Sequence, residues 1–231
     1  MLTVILLPGM DGTGILFSPF TDLFPDDWKI RVVGYPNDPE AGYKELEIQI
    51  QKLIPDTGQY ILLGESFSGP LAISLAKHSD DRLTALILCC TFVKNPIQFG
   101  SSAMAFLAKF PLSFVPKPLL EKFLLGRFRT HELAKLLHKT LKKVSTKTIV
   151  KRIHEVQDID VSESLSEIKV PTLYLRASDD NIVSSKASEL IVSINPAIQI
   201  SEVEGPHCLL QASPQSALQS ILEFMTAQKQ S

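Results

Sequence analysis

Six short apolar runs recur along the 231-residue chain, and segments with helical spacing separate most of them. The runs are Leu2–Leu7, Lys29–Val33, Tyr60–Leu63, Ala85–Cys90, Thr172–Arg176 and Ile198–Val203, each bounded by Gly, Pro, Asn, Asp or Ser. They are continuously apolar rather than alternating. A strand with one wet face alternates, whereas a strand covered on both faces has no reason to. Helical spacing occupies Gly42–Ile54, Phe67–His78, Ser185–Ser193 and Ser213–Gln228. Buried strands alternating with helices predict a doubly wound α/β fold around a parallel sheet of about six strands.

The rhythm breaks between Pro96 and Val170. Helical patterns run there through Ile97–Lys109, Lys117–Leu125, Thr130–Lys143 and Thr146–Val156, interrupted by Pro111, Pro116 and Pro118. The expected organisation is a core of residues 1–96 and 170–231 with a helical cap of residues 97–169 inserted before the last two strands. Charge divides the same way. Ile97–Arg152 holds 12 Lys and Arg against 2 Asp and Glu, a net of +10, so the chain total of −2 hides a remainder at −12. Two readings stay open. The basic cap simply complements an acidic core with solvated helix faces, or it recruits an anionic partner: a membrane surface, a coenzyme A moiety or an acyl-carrier protein. The insertion also supplies Phe99, Met104, Phe106, Leu107, Phe110, Leu112, Phe114, Val115, Leu119, Leu120, Phe123 and Leu124. Most are expected to be buried helix faces, and some an inner wall over the site.

Several function classes drop out. The near-neutral total argues against a generic nucleic-acid binder. Cys89, Cys90 and Cys208 are too few and too oddly spaced for a disulfide scaffold, and read as reduced thiols in a cytoplasmic protein. No metal-ligand spacing and no cofactor motif occurs, so neither group is expected. The longest strongly apolar run, Leu83 to Val93, is too short to cross a bilayer. The opening MLTVILLPGM lacks a basic start and runs into Pro8-Gly9, so it reads as a strand and not a signal peptide.

The densest chemical signal is Gly64-Glu65-Ser66-Phe67-Ser68-Gly69, between the strand Tyr60–Leu63 and a helical segment. A nucleophile on such a sharp turn needs small residues two positions before and after it, because strand and helix nearly touch there. Gly64 and Ser68 meet that need for Ser66. For Ser68 the same positions fall on Ser66 and Pro70, and proline fits badly. The plain alternative is a serine capping a helix N-terminus.

This turn resembles the G-x-S-x-G elbow of the α/β-hydrolase family, with Ser68 at the fifth position and glycine one step later. LPGMDGTG, GESFSGP, the Cys89-Cys90 strand leading into FVKNP, and GPHCLLQ together resemble small bacterial α/β hydrolases of undefined substrate. The opening is also similar to plant plastid esterase and acyltransferase relatives. The resemblance implies a triad in the order Ser66, Asp180, His207. In the segment Ala177-Ser178-Asp179-Asp180-Asn181-Ile182-Val183 the family register selects Asp180, with Asp179 as the alternative. His207 sits on a Gly-Pro turn after the last strand, where the family places its general base. By the same resemblance the backbone N–H groups of Met10 and Phe67 form the oxyanion hole. The implied activity is a serine hydrolase that cleaves a carboxylic ester or thioester, a small molecule, through an acyl-enzyme on Ser66. An acyltransferase with the same triad and a non-catalytic binding protein on the same scaffold stay open. Cys208, beside His207, is expected to be a packing residue.

Overall fold

In the computed structural model, which describes residues 2–99 and 115–228, the six apolar runs become six strands. They are β1 (Leu2–Leu7), β2 (Trp28–Val32), β3 (Tyr60–Glu65), β4 (Leu83–Cys89), β5 (Thr172–Asp179) and β6 (Gln199–Pro206). All pair in parallel, in the order β2-β1-β3-β4-β5-β6. Successive strand residues feed opposite faces. Ile5 and Leu7 of β1 and Leu62 of β3 join one core, while Val4, Leu6, Ile61 and Leu63 join another. Covering both faces removes any need for polar alternation, which is why these strands read as unbroken apolar runs.

The helices, in chain order, are α1 (Ser18–Thr21), α2 (Tyr43–Gln51), α3 (Gly69–Lys77), α4 (Lys117–Leu124), α5 (His131–Leu141), α6 (Thr146–Asp158), α7 (Ser162–Glu167), α8 (Ser185–Ile194), α9 (Leu209–Ala212) and α10 (Pro214–Gln228). Leu46 and Ile50 of α2, Leu71 of α3 and Ile191 of α8 fill the first core. Phe20 of α1 and Leu218 and Ile221 of α10 fill the second. Helices α4 to α7 lie between β4 and β5. Side-chain caps begin two of them: Thr130 Oγ1 accepts from the Leu133 N–H at 3.1 Å for α5, and Ser145 Oγ from the Thr148 N–H at 3.1 Å for α6.

Element ends differ from expectation for local reasons. The helix expected from Phe67 starts as a tight 3-10 turn, Ser66–Ser68, because Ser66 has φ 50°, outside the right-handed helical region. The helix expected to reach Ile54 ends at Gln51, where Leu53 N–H turns back to Ile50 O at 2.8 Å. β4 starts earlier, at Leu83, which pairs with Tyr60. β6 runs on to Pro206 because β5 continues past a register shift to pair Asp179 with Pro206. Short α1, α7 and α9 are additions to the expected set. Beyond the 3-10 turn Pro96–Phe99, the helix expected over Ile97–Lys109 lies outside the described residues, as do Met104, Phe106, Leu107, Phe110, Leu112, Phe114 and the side chain of Phe99.

The ends of β1, β3, β5 and β6 face the same way in a parallel sheet. Their outgoing loops therefore gather at one edge, where open α/β sheets place their ligands.

Candidate active site

Ser66 leaves β3 with a positive φ of 50°, a strained conformation for a serine. The turn around it is fixed from several sides. A Cβ on Gly64 would lie 2.6 Å from Ser68 O and 2.8 Å from Ala72 Cβ, so only glycine lets β3 and α3 approach this closely. Thr91 Oγ1 donates to Ser66 O at 2.5 Å. Phe67 stacks on Tyr43 with ring centroids 4.6 Å apart, and the Tyr43 hydroxyl donates to Phe67 O at 2.9 Å. Ser68 is fully buried, its hydroxyl bound to Pro8 O and Tyr35 OH, so it faces away from any substrate.

Ser66 Oγ lies 2.9 Å from His207 Nε2. His207 Nδ1 lies 3.0 and 2.9 Å from the two Asp180 carboxylate oxygens. A neutral imidazole carries one N–H, and a carboxylate at Nδ1 fixes it there. Nε2 is thus left as an acceptor for the serine hydroxyl. Asp180 Oδ1 also accepts the N–H groups of Ile182 and Val183 at 2.8 and 2.9 Å, which aim it at the histidine. Asp179 points elsewhere, to Arg127 at 3.1 Å and the Ser178 hydroxyl at 2.6 Å. Burial alone would lower the His207 pKa. The Asp180 charge and hydrogen bond outweigh it and raise the imidazole above its ordinary 6.5.

The loop after β1 folds over the serine. Gly12 N–H closes a turn onto Gly9 O at 2.9 Å, and Gly12 adopts φ +69°. Met10 from this loop lines the same cavity as Ser66, which puts it on the serine's side.

Two buried groups at this loop carry no motif. Arg152 of α6 is 1% exposed; its guanidinium donates to Met10 O at 2.8 Å, Asp11 O at 2.9 Å and Pro36 O at 3.0 Å. Glu65, next to Ser66, accepts from Gln211 Nε2 at 3.0 Å and from the Gly9 N–H. Burial raises its carboxyl to about 7. Arg152 counts as one lysine-or-arginine among twelve in the insertion, and Glu65 fills a position open to any residue in G-x-S-x-G. Only long-range folding reveals either.

A cavity with about 810 Å³ of empty space, its opening included, ends at these groups. Gly9, Met10, Asp11, Glu65, Ser66 and His207 form its floor. Leu16, Leu120, Leu124, Leu137, Leu141, Ile149, Ile153 and Ile182 form its walls. Cys208 lines it too, but burial pushes its thiol well above the usual range, leaving a small packing group. Leu120 and Leu124 of the expected apolar set therefore face the cavity, while Val115 joins the core behind it. Among the described residues no cluster of His, Cys, Asp and Glu could hold a metal ion, and no helix is long and apolar enough to cross a membrane.

Comparison with known proteins agrees with this architecture. The serine aminopeptidase S33 family matches residues 35–204, a stretch that includes Ser66 and Asp180 and excludes Met10 and His207. RutD of Azorhizobium caulinodans, provisionally named a carbamate hydrolase, is 26% identical over 178 residues, covering 70% of this chain and 64% of its own. The chain spans less than two thirds of the length of the curated relatives it matches. Among solved structures, an esterase from Exiguobacterium antarcticum superposes with a TM-score of 0.81 at 15% identity, covering 98% of this chain and 92% of its own. A hydrolase from Oleispira antarctica gives 0.80 at 16% identity, covering 98% and 91%.

Proposed function

The chain belongs to the serine aminopeptidase S33 family of α/β hydrolases, and from that premise we propose that it cleaves carboxylic esters or thioesters of apolar acyl groups through an acyl-enzyme on Ser66. One observation carries the reading. A hydrogen-bonded chain from Ser66 Oγ through His207 to Asp180 ends at the foot of a cavity walled by leucine and isoleucine.

The chemistry follows from the geometry. As Ser66 Oγ attacks the carbonyl carbon, its proton passes to His207 Nε2. Asp180 holds the imidazole in the accepting tautomer and stabilises the cation that forms. The tetrahedral oxyanion is held by the backbone N–H groups of Met10 and Phe67. Collapse expels the alcohol or thiol, which takes the proton back from His207. Water then attacks the acyl-enzyme by the same route. Residues 97–169 act as a cap over the core of residues 1–96 and 170–231, and their inner leucines receive the acyl chain.

Two finer points belong to the same reading. Lys135, Lys139, Lys142, Lys143 and Lys147 stand exposed on and after α5, whose inner face contributes Leu137 and Leu141 to the cavity. Such a strip suits an acyl group carried on an anionic partner such as coenzyme A. The three free thiols, all buried, suit a reducing, cytoplasmic setting. A second reading comes from the likeness to RutD: a carbamate carbonyl is open to the same attack. The apolar walls favour an acyl chain over a small carbamate.

The test is a panel of p-nitrophenyl esters of rising chain length, coenzyme A thioesters and small carbamates, with wild type and Ser66→Ala. The expected result is kcat/KM that rises with acyl length and falls to background in Ser66→Ala. Added alcohols then separate hydrolysis from acyl transfer. Turnover of none of these by folded protein, or turnover that survives Ser66→Ala, overturns the reading.

A further inference from the structure

The structure assigns Arg152 as a positioning residue that holds the oxyanion loop in its working shape and makes that shape depend on α6 of the inserted segment. This rests on the reading of Met10 and Phe67 as the oxyanion donors. A guanidinium that is 1% exposed needs a strong reason to be there, because burying a cation without full compensation is costly. Here the compensation is backbone and falls on the two terminal nitrogens, while Nε stays buried without a hydrogen-bond partner. Nη1 donates to Met10 O and Asp11 O, and Nη2 to Pro36 O. Two of these carbonyls belong to consecutive residues of the loop over Ser66, and the third belongs to the segment after β2. The charge of Asp11 adds to the balance.

The contact constrains the right atoms. Fixing the Met10 carbonyl fixes the residue whose N–H is to meet the oxyanion. The loop is shaped around the cation: a Cβ on Gly12 would lie 2.5 Å from Arg152 Nη1. The guanidinium carbon also sits 6.0 Å from the ring centre of Phe67, the other donor residue, and 5.7 Å from that of Tyr35. Glu65 holds the loop from the opposite end, through the Gly9 N–H. One side chain from the insertion therefore bonds the Met10 carbonyl and faces the Phe67 ring, while its hydrogen bonds go to Met10, Asp11 and Pro36 and not to the serine, histidine or aspartate. α6 also presents Ile149 and Ile153 to the cavity, on either side of Arg152 in sequence. A substrate that presses on α6 presses on the helix that carries the clamp.

The test compares wild type with Arg152→Lys, Arg152→Met and Arg152→Gly. Endpoint titration with a fluorophosphonate counts competent sites, so misfolded protein does not enter the rate. Arg152→Lys keeps the charge and the stem but cannot serve three carbonyls at once, and it provides a milder variant should the others fold poorly. The expected result is a fall in kcat per titrated site of about tenfold to hundredfold with KM within about twofold. Affinity for a trifluoromethyl ketone, whose adduct carries the oxyanion, falls in parallel with kcat. Millimolar guanidinium restores part of kcat in Arg152→Gly and does nothing for wild type. Variants with wild-type kcat per site and wild-type ketone affinity, poorer only in thermal stability, overturn the assignment. A folded wild type that takes no label overturns the nucleophile reading and this assignment with it, whereas a labelled wild type beside an unaffected Arg152→Lys overturns this assignment alone.

Discussion

At the scale of single residues, the site is governed by two titrating groups with opposite origins. His207 is raised above 6.5 because Asp180 outweighs burial. With His207 as the proposed general base, activity needs the neutral imidazole, so kcat/KM should rise with pH through a midpoint above 6.5. Asp180→Asn removes the main opposition to burial and leaves only the smaller upward pull of Glu65. The midpoint should move to lower pH while the rate falls by about 10³–10⁴; an unchanged midpoint in the pH–rate profile would count against the pairing. Glu65 is raised to about 7 by burial. Its unfolded value is near 4.5, so the folded state holds a proton that the unfolded state has lost. The stability that goes with that proton is complete below about pH 4.5, declines as pH rises to about 7 and is flat above, a loss of about 3 kcal/mol at most. Gln211, whose Nε2 donates to Glu65, has no partner on its Oε1. Glu65→Gln is neutral at every pH. Urea unfolding should therefore find the variant and wild type similar at pH 4.5 and the variant more stable at pH 8, and parallel curves would refute the account. The register of small residues around Ser66 was legible because it is a local steric demand. Glu65 and Arg152 were not, since their meaning lies in partners 146 and about 140 residues away in sequence.

At the scale of elements, the elbow joins β3 to α3 at a distance that only glycine permits. Gly64→Ala should cost about 1–3 kcal/mol in urea unfolding, because the new Cβ meets backbone and the Ala72 methyl, neither of which can rotate away. A neutral substitution would mean that β3 and α3 have slack. The six strands and the main helices were readable because strands buried on both faces and helices buried on one leave distinct periods. Their ends were less so. β6 lengthens through a register shift with β5, and α2 shortens through a tight turn at Ile50–Leu53, both set by pairing rather than by composition. The same register shift carries β5 to Asp179 and leaves Asp180 as the first residue free to turn toward His207. The strand pairing thus separates two adjacent aspartates that composition alone cannot rank.

At the scale of the whole molecule, charge is divided along the sequence, with a net +10 over Ile97–Arg152 and −12 over the remainder. Arg127 crosses that divide to Asp179 and Glu204; Arg127 and Glu204 are well exposed and Asp179 is half-buried, so water screens both pairs and Arg127→Ala should leave the urea unfolding midpoint nearly unchanged. On the proposed reading the exposed lysines on and after α5 act in encounter rather than in stability. If they draw in an anionic carrier, kcat/KM for coenzyme A thioesters should fall several-fold as salt is raised toward 1 M, where the screening length shrinks to about 3 Å. Neutral p-nitrophenyl esters should be unaffected. Equal salt dependence for both would leave the charge division as a matter of fold alone. All of this presupposes that Ser66 is an activated nucleophile. The most direct measurement of that is intact-mass spectrometry after fluorophosphonate treatment of wild type and Ser66→Ala. One adduct on the wild type and none on the variant is the predicted result. An unlabelled, well-folded wild type, or an adduct that persists in Ser66→Ala, would contradict it.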